Sequence, residues 1–377
     1  MKPEQRFIIQ METKDSGGDA ALPAPSGKAL QEARVKMLFG HKDRIFHGAF
    51  KGGSEDNNVL ATASADGHVR VWSVAGDTLG AKCVATLSAH KDEALRVAWG
   101  NQGAAESKTS VLASGGADGA VRVWRERRKD GDAPFSSWES CLTLAHEYDQ
   151  TYALEFVGGG PERLLAGYGD LVSIFDCCTG KRLLSSRFLP LGEVTGGLAR
   201  NPDQECYVFD ASCHPRHPFV FAAALGDGTV RIRDMREKES VDATVFNGGG
   251  NHATSCSFHP SDDRKLLSTS GAGHVYLWDL RSPQNSFGVM QARPMPVYGA
   301  AFVPGTTGIL SWSADGYLRL WNVQDTDIDA VAERQLKQGY PLLSVSISPD
   351  GARAAALGGT SSTMGLMCWM LADIACM

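Results

Sequence analysis

Missing from the sequence are a Gly-x-x-x-x-Gly-Lys-Ser/Thr phosphate loop, a His-Glu-x-x-His metal helix, a Gly-x-Ser-x-Gly nucleophile turn and any Cys-x-x-Cys pair. Their absence excludes Walker-type nucleotide hydrolysis, the commonest zinc sites and acyl transfer from a nucleophile elbow. No apolar run approaches the roughly 18 residues of a membrane span, and the N-terminus lacks the layout of a secretory signal, so an intracellular protein is expected, cytoplasmic or nuclear. A surplus of positive charge is also lacking: 37 Lys and Arg stand against 43 Asp and Glu, a formal net charge of -6. Proteins that coat phosphate backbones are usually basic, so nucleic acid is not the expected partner. The nine cysteines form an odd set with no Asn-x-Ser/Thr sequon beside them, which favours reduced thiols over a disulfide framework.

What is present is a repeat. "ATASADGHVRVW" at 61–72 returns as "LASGGADGAVRVW" at 112–124, "LLSTSGAGHVYLW" at 266–278 and "ILSWSADGYLRLW" at 309–321. Degenerate copies lie at 164–176, 221–234 and 354–369. The closing positions Trp72, Trp124, Phe175, Arg233, Trp278, Trp321 and Trp369 are 52, 51, 58, 45, 43 and 48 residues apart, slightly above the period of about 40 to 45 for four-stranded units. Upstream of each hairpin lies another alternating run, among them "RIFHGAF", "EALRVAW" and "QTYALEF". Period-two alternation means strands. Four-stranded antiparallel units of this size bury their apolar faces only against neighbouring copies, so they must stack radially.

These residues resemble the WD-repeat β-propeller family, with its Gly-His pair, apolar strand, Asp-Gly turn and Trp end. The resemblance spans about residues 29–377 and implies an all-β fold: a single seven-bladed β-propeller of four-stranded antiparallel blades, with residues 1–28 a flexible tail. The seventh copy has little room for a fourth strand after Trp369. "ALQEARVKMLFGH" at 29–41, alternating through Ala33, Val35 and Met37, is expected to supply it and close the ring.

The resemblance also implies a structural tetrad of His, Ser/Thr, Asp and Trp in each blade. It is complete as His41, Thr62, Asp66, Trp72 and as His90, Ser114, Asp118, Trp124. The third copy has His146 and Asp170 with Ala166 and Phe175; the fourth has Asp227 with Ala223 and Arg233; the fifth has Ala272 at the Asp position; the sixth lacks the His. The incomplete blades are expected to be softer. Arg70, Arg122, Arg231 and Arg319, each four after the turn Asp, are expected on the solvated strand edge, covering apolar neighbours with their stems.

Propellers bind through loops on the narrower face, around the central opening. Counting back four from each strand anchor gives Phe46, Leu95, Tyr152, Phe209, Thr254, Tyr298 and Leu343; two residues further back lie Arg44, Tyr207, His252 and other polar groups. Phe46, Tyr152, Phe209 and Tyr298, with Arg44, Tyr207 and His252, are therefore the candidate partner-binding residues, since exposed aromatics at a concave mouth suit interface centres. "RDMR" at 233–236 and "WDLR" at 278–281 resemble the Asp-x-Arg box of cullin-4 ligase substrate receptors, which implies Asp234, Arg236, Asp279 and Arg281 as adaptor-docking residues. "CHPRHP" at 213–218 offers zinc-type ligands in Cys213, His214 and His217, but its alignment with "FHPSDD" favours a plain turn. No metal, cofactor, small-molecule substrate or catalytic residue is expected. The reading is a non-enzymatic scaffold or adaptor that holds peptides or proteins within a multiprotein complex, with the ligase receptor as the alternative.

Overall fold

The computed structural model describes residues 24–25, 27–32, 35–38, 40–52, 59–74, 81–100, 110–127, 137–145, 150–189, 206–236, 244–247, 251–281, 286–291, 294–324, 327–336, 339–359 and 367–372. Their strands form seven four-stranded antiparallel sheets, and a single six-residue helix, Gly27–Glu32, precedes them. This arrangement fits a β-propeller. In six sheets the strands follow chain order. The last sheet takes its outer strand from the other end of the chain: Val35–Leu38 pairs antiparallel with Met367–Ala372, placing Val35 opposite Leu371 and Met37 opposite Trp369. Residues 29–32, expected to join that strand, instead finish the helix, whose Leu30 is fully buried between the last two sheets.

The second strand of each sheet is buried on both faces, which explains its small residues. Val59–Ser64, Val111–Gly116 and Val220–Leu225 carry Ala, Ser, Thr and Gly where neighbouring sheets press from both sides. The apolar clusters accordingly lie between sheets. Ala61, Val69 and Val71 of the first sheet pack with Val97, Trp99 and Trp124 of the second. Ile45, Phe50, Leu60 and Trp72 of the first likewise pack with Ala355 and Leu357 of the last. At the second-to-third strand turns, Asp66, Asp118, Asp227 and Asp315 each accept the N–H two residues on, at 2.9–3.2 Å. The glycine between, as at Gly67 with φ 76°, adopts the left-handed conformation the turn requires.

The first strands lie beside one another in sequence, and the first strand of the last sheet lies beside that of the first. Each is an edge strand whose outward N–H groups have no ladder partner. Side chains from the preceding sheet meet several of them. His47 Nδ1 accepts Val97 N–H at 3.4 Å, Glu155 accepts Cys213 N–H at 2.8 Å, Asp210 accepts Cys256 N–H at 3.2 Å, and Ser346 Oγ accepts Phe50 N–H at 2.9 Å. The axial edges are thus laced to their neighbours by polar side chains.

Candidate functional site

Two sheets carry a complete hydrogen-bonded tetrad. His41 Nδ1 lies 3.1 Å from the Asp66 carboxylate, its Nε2 lies 2.7 Å from Thr62 Oγ1, and Trp72 Nε1–H donates to that oxygen at 2.9 Å. The proton count closes with a neutral ring: Nδ1–H donates to the carboxylate, Nε2 accepts the threonine hydroxyl, and the hydroxyl oxygen accepts the indole. Burial holds the ring below its ordinary pKa although Asp66 pulls it upward. His90, Asp118, Ser114 and Trp124 repeat the arrangement at 2.7, 3.0 and 3.0 Å. A Cβ at Gly116 would come within 2.3 Å of the His90 ring, so a glycine is required there.

Where the histidine is missing, the structure corrects the placement of the repeated arginines. Arg231 and Arg319, expected on a solvated edge, are buried, with 1% and 5% of their surface exposed. Arg319 Nη2 reaches Asp315 at 2.5 Å, and Arg231 pairs with Asp227 while donating to Leu189 O at 2.7 Å. The physical reason is vacancy of charge: a buried turn carboxylate without its histidine needs another donor, and the arginine four residues on reaches it. Arg122, beside a sheet that keeps His90, is only partly buried and stands 3.2 Å from Asp118. In the fifth sheet Ala272 removes the acid, and Tyr276 occupies the arginine position, stacked on Trp278 with ring centroids 5.4 Å apart.

The fourth sheet goes furthest. Arg233, in place of the closing Trp, donates to Ser186 Oγ at 2.7 Å and Arg187 O at 2.6 Å, with its guanidinium 3.9 Å from the Phe188 ring centroid. The blade expected to be soft therefore carries a second buried network, which ties it to the last strand of the sheet before it. His146 lies outside the described residues, as do the side chains of Trp369 and its neighbours.

Every first strand breaks register at the same point. The shifts fall between Ile45 and His47, Ala94 and Arg96, Thr151 and Ala153, Val208 and Asp210, Ala253 and Ser255, Val297 and Gly299, and Leu342 and Ser344. The residue skipped each time is Phe46, Leu95, Tyr152, Phe209, Thr254, Tyr298 or Leu343. A β-bulge re-aims the side chain it carries. Leu95 is buried, the other six are half-buried, and Tyr298 packs against the core of the last two sheets.

Tyr152, Phe209 and His252 form a contiguous arc, with centroids 6.3 Å apart between the first two and 5.6 Å between the last two. His252 lies over Gly271, whose Cβ would meet the ring at 2.4 Å. Tyr207 is 39% exposed beside the arc in sequence. Across the opening, Arg44 sits 5.0 Å from the Phe46 centroid and 3.3 Å from Glu93. The register shift itself was beyond sequence reading, because a bulge is seen only once the partner strand is known.

The third strand of a blade runs parallel to the first, so residues that follow it lie at the opposite end from the arc. There Asp234 accepts Arg236 N–H at 3.0 Å and Nε–H at 2.9 Å, and Asp279 holds Arg281 likewise at 2.9 and 3.0 Å. The Arg236 and Arg281 side chains are 63% and 65% exposed. Asp262 and Arg264, a third such pair that sequence reading missed, adopt the same geometry at 3.2 and 2.9 Å. Of the zinc-type ligands, Cys213 turns into the core, while His214 and His217 meet Asp263 with ligand atoms within 4.8 Å of one another. His214 Nδ1 accepts the N–H groups of Arg216 and His217 at 3.2 and 3.1 Å, which closes the turn and leaves the ring proton on Nε2. A ring so bonded offers no lone pair to a metal.

Comparison with known proteins finds a known repeat in part of the chain. The family model described as "WD domain, G-beta repeat" matches residues 33–73, 81–125 and 243–279, within the first, second and fifth repeats. A Denticleless protein homolog of Danio rerio is 24% identical over 319 residues, covering 78% of this chain and 46% of the relative. A ribosome biogenesis protein WDR12 homolog of Trichoplax adhaerens is 24% identical over 276 residues, 66% of this chain and 59% of the relative. The target of rapamycin complex subunit wat1 of Schizosaccharomyces pombe is 27% identical over 133 residues, 35% and 40% of the two chains. The chain thus spans about half the length of these relatives.

Proposed function

We propose that this chain, which carries WD repeats in three places, works without chemistry of its own, as a scaffold that holds a peptide or protein at the axial mouth while other loops contact a second subunit. The observation that carries this reading is the contact of the Tyr152, Phe209 and His252 rings, which form a single aromatic surface, beside the register shift that falls at Phe46, Tyr152, Phe209 and Tyr298 alike. Such groups bury much area at small entropic cost. The propeller spans residues 29–377 and is a ring closed through Val35–Leu38; the outer pairing of that strand and the apolar packing of the last sheet on the first support closure. No helix among the described residues is long and apolar enough to cross a membrane. With relatives named for ribosome biogenesis and for a target of rapamycin complex, this supports work inside the cell as one subunit of an assembly.

Affinity purification from the native cell tests the reading. Tyr152→Ala and Phe209→Ala should each lose a common set of captured proteins without changing the melting temperature. An unchanged set would refute it. A second reading, docking to a ligase adaptor through Asp234, Arg236, Asp279 and Arg281, draws support from two exposed arginines held rigid by their own aspartates. Reversing both charges should abolish adaptor co-purification.

A further inference from the structure

Below the aromatic arc, the axial side of the first strands carries an uneven set of charges. Phe209 is followed directly by Asp210, and Tyr152 shares its strand with Glu155. Arg96 is the cation nearest to them: it donates through Nε to Tyr152 O and through Nη2 to Phe209 O at 3.1 Å, and stands 3.9 Å from Asp210. Two of its donor nitrogens are thus engaged by main chain, and it serves as a strut across three sheets. Glu155 accepts Cys213 N–H at 2.8 Å and a bond from the Ser212 side chain, but no cation among the described residues pairs with it. Burial pushes His47, on the first strand of the first sheet, down to about 3 and so keeps it neutral. The Cys213 and Cys256 thiols lie in the cores between sheets, where burial pushes them well up. One cation therefore faces two carboxyls.

Burial raises the Glu155 carboxyl to about 7, with Asp210 adding to the effect, and burial likewise raises Asp210 against the pull of Arg96. Both acids are thus short of positive charge. Directly above them, the faces of Tyr152 and Phe209 carry the negative potential that attracts a cation at the rim. The rim and the floor favour the same ligand charge.

We propose that the mouth recognises an extended segment through one arginine or lysine side chain, which passes Tyr152 and Phe209 and is neutralised by Glu155 and Asp210. This deepens the scaffold reading and rests on it for the location of the partner. A charge-assisted bond to a desolvated carboxylate is stronger than one made in open water, so the axial acids supply selectivity for charge and the aromatic arc supplies area.

The test is saturation-transfer NMR with the full chain, using N-acetyl-arginine N-methylamide as the probe and the citrulline analogue as its uncharged isostere. A carboxyl titrating near 7 goes from about one-tenth to about nine-tenths ionised between pH 6 and pH 8, so the arginine probe should bind about tenfold tighter at pH 8. Glu155→Gln, which keeps an oxygen for Cys213 N–H, should weaken the probe and flatten that dependence; citrulline should bind at least about tenfold more weakly at pH 8. Equal binding of the two probes, a flat pH profile in the unsubstituted protein, or no measurable arginine binding would overturn the proposal. The two readings fail separately. If Tyr152→Ala and Phe209→Ala abolish protein capture while the probes bind alike, the cation is wrong and the mouth stands. If capture persists while arginine binding shows the expected profile, the scaffold location is wrong and the cation site stands.

Discussion

Replacing Arg231 with methionine tests whether a buried arginine takes over the role of the missing tetrad histidine. Arg231 and Asp227 expose 1% and 4% of their side chains, and the pair is joined by Thr229, whose N–H reaches Asp227 at 2.9 Å. Burial alone would push Asp227 up, yet the bonds from Thr229 and Arg231 hold it below the usual carboxylate range. Removing the guanidinium leaves a desolvated carboxylate with Thr229 and the Cys206 thiol, 3.7 Å away, among its remaining donors, a loss of about 3–5 kcal/mol for a broken buried pair. The exposed position of Leu189 lets water take over the carbonyl that Arg231 also satisfied. The comparison is Arg122→Met, where His90 still holds Asp118 and the arginine is more accessible; about 1 kcal/mol or less is expected there. Hydrogen exchange followed peptide by peptide is the assay, because blades can loosen locally before the whole ring unfolds. Arg231→Met should raise exchange across 220–234 by about two to four orders of magnitude, and Asp227→Asn added to it should restore most of the protection. Equal effects at Arg231 and Arg122, or a double variant as exposed as the single, would refute the reasoning.

Three further outcomes follow from the same contacts. Because Glu155 titrates at about 7 in the fold against an ordinary 4.5, its contribution to stability is full below about 4.5 and is lost as pH rises through 7; Glu155→Gln should therefore stabilise the protein at pH 8 by up to about 3 kcal/mol and by little at pH 4, read by urea unfolding. His47 runs the other way. Held down at about 3 against an ordinary 6.5, it contributes fully above 6.5 and progressively less as pH falls toward 3, so His47→Gln should lessen the loss of unfolding free energy at pH 5 by about 2 kcal/mol, read by urea unfolding. Deleting residues 29–39 removes the outer strand of the last sheet and the buried Leu30; the melting temperature should fall by several degrees, and an unchanged value would contradict closure through that strand.

Much of the architecture was legible because its causes are local. Alternating apolar residues mark each hairpin and Asp-Gly turns mark four of them, and the recurrence of the alternation makes the count seven. "ALQEARVKMLFGH" was legible only in part: Val35 and Met37 pair with the last sheet, whereas residues 29–32 close a helix whose Leu30 finds a pocket between two distant sheets. The arginines were misjudged for a related reason. Arg70, Arg122, Arg231 and Arg319 occupy one position of the repeat, and nothing within the repeat says whether a histidine from the preceding loop has already satisfied the turn aspartate.

The sequence by itself determined the strands, their turns and their number, since side-chain period and backbone preference act over a few residues. The tertiary structure decided which arginines are buried, where each first strand skips a residue, and that Glu155 and Asp210 share the axial space with one cation. Those properties depend on burial and electrostatic field, to which residues tens to hundreds of positions apart contribute together, and no local pattern encodes the sum.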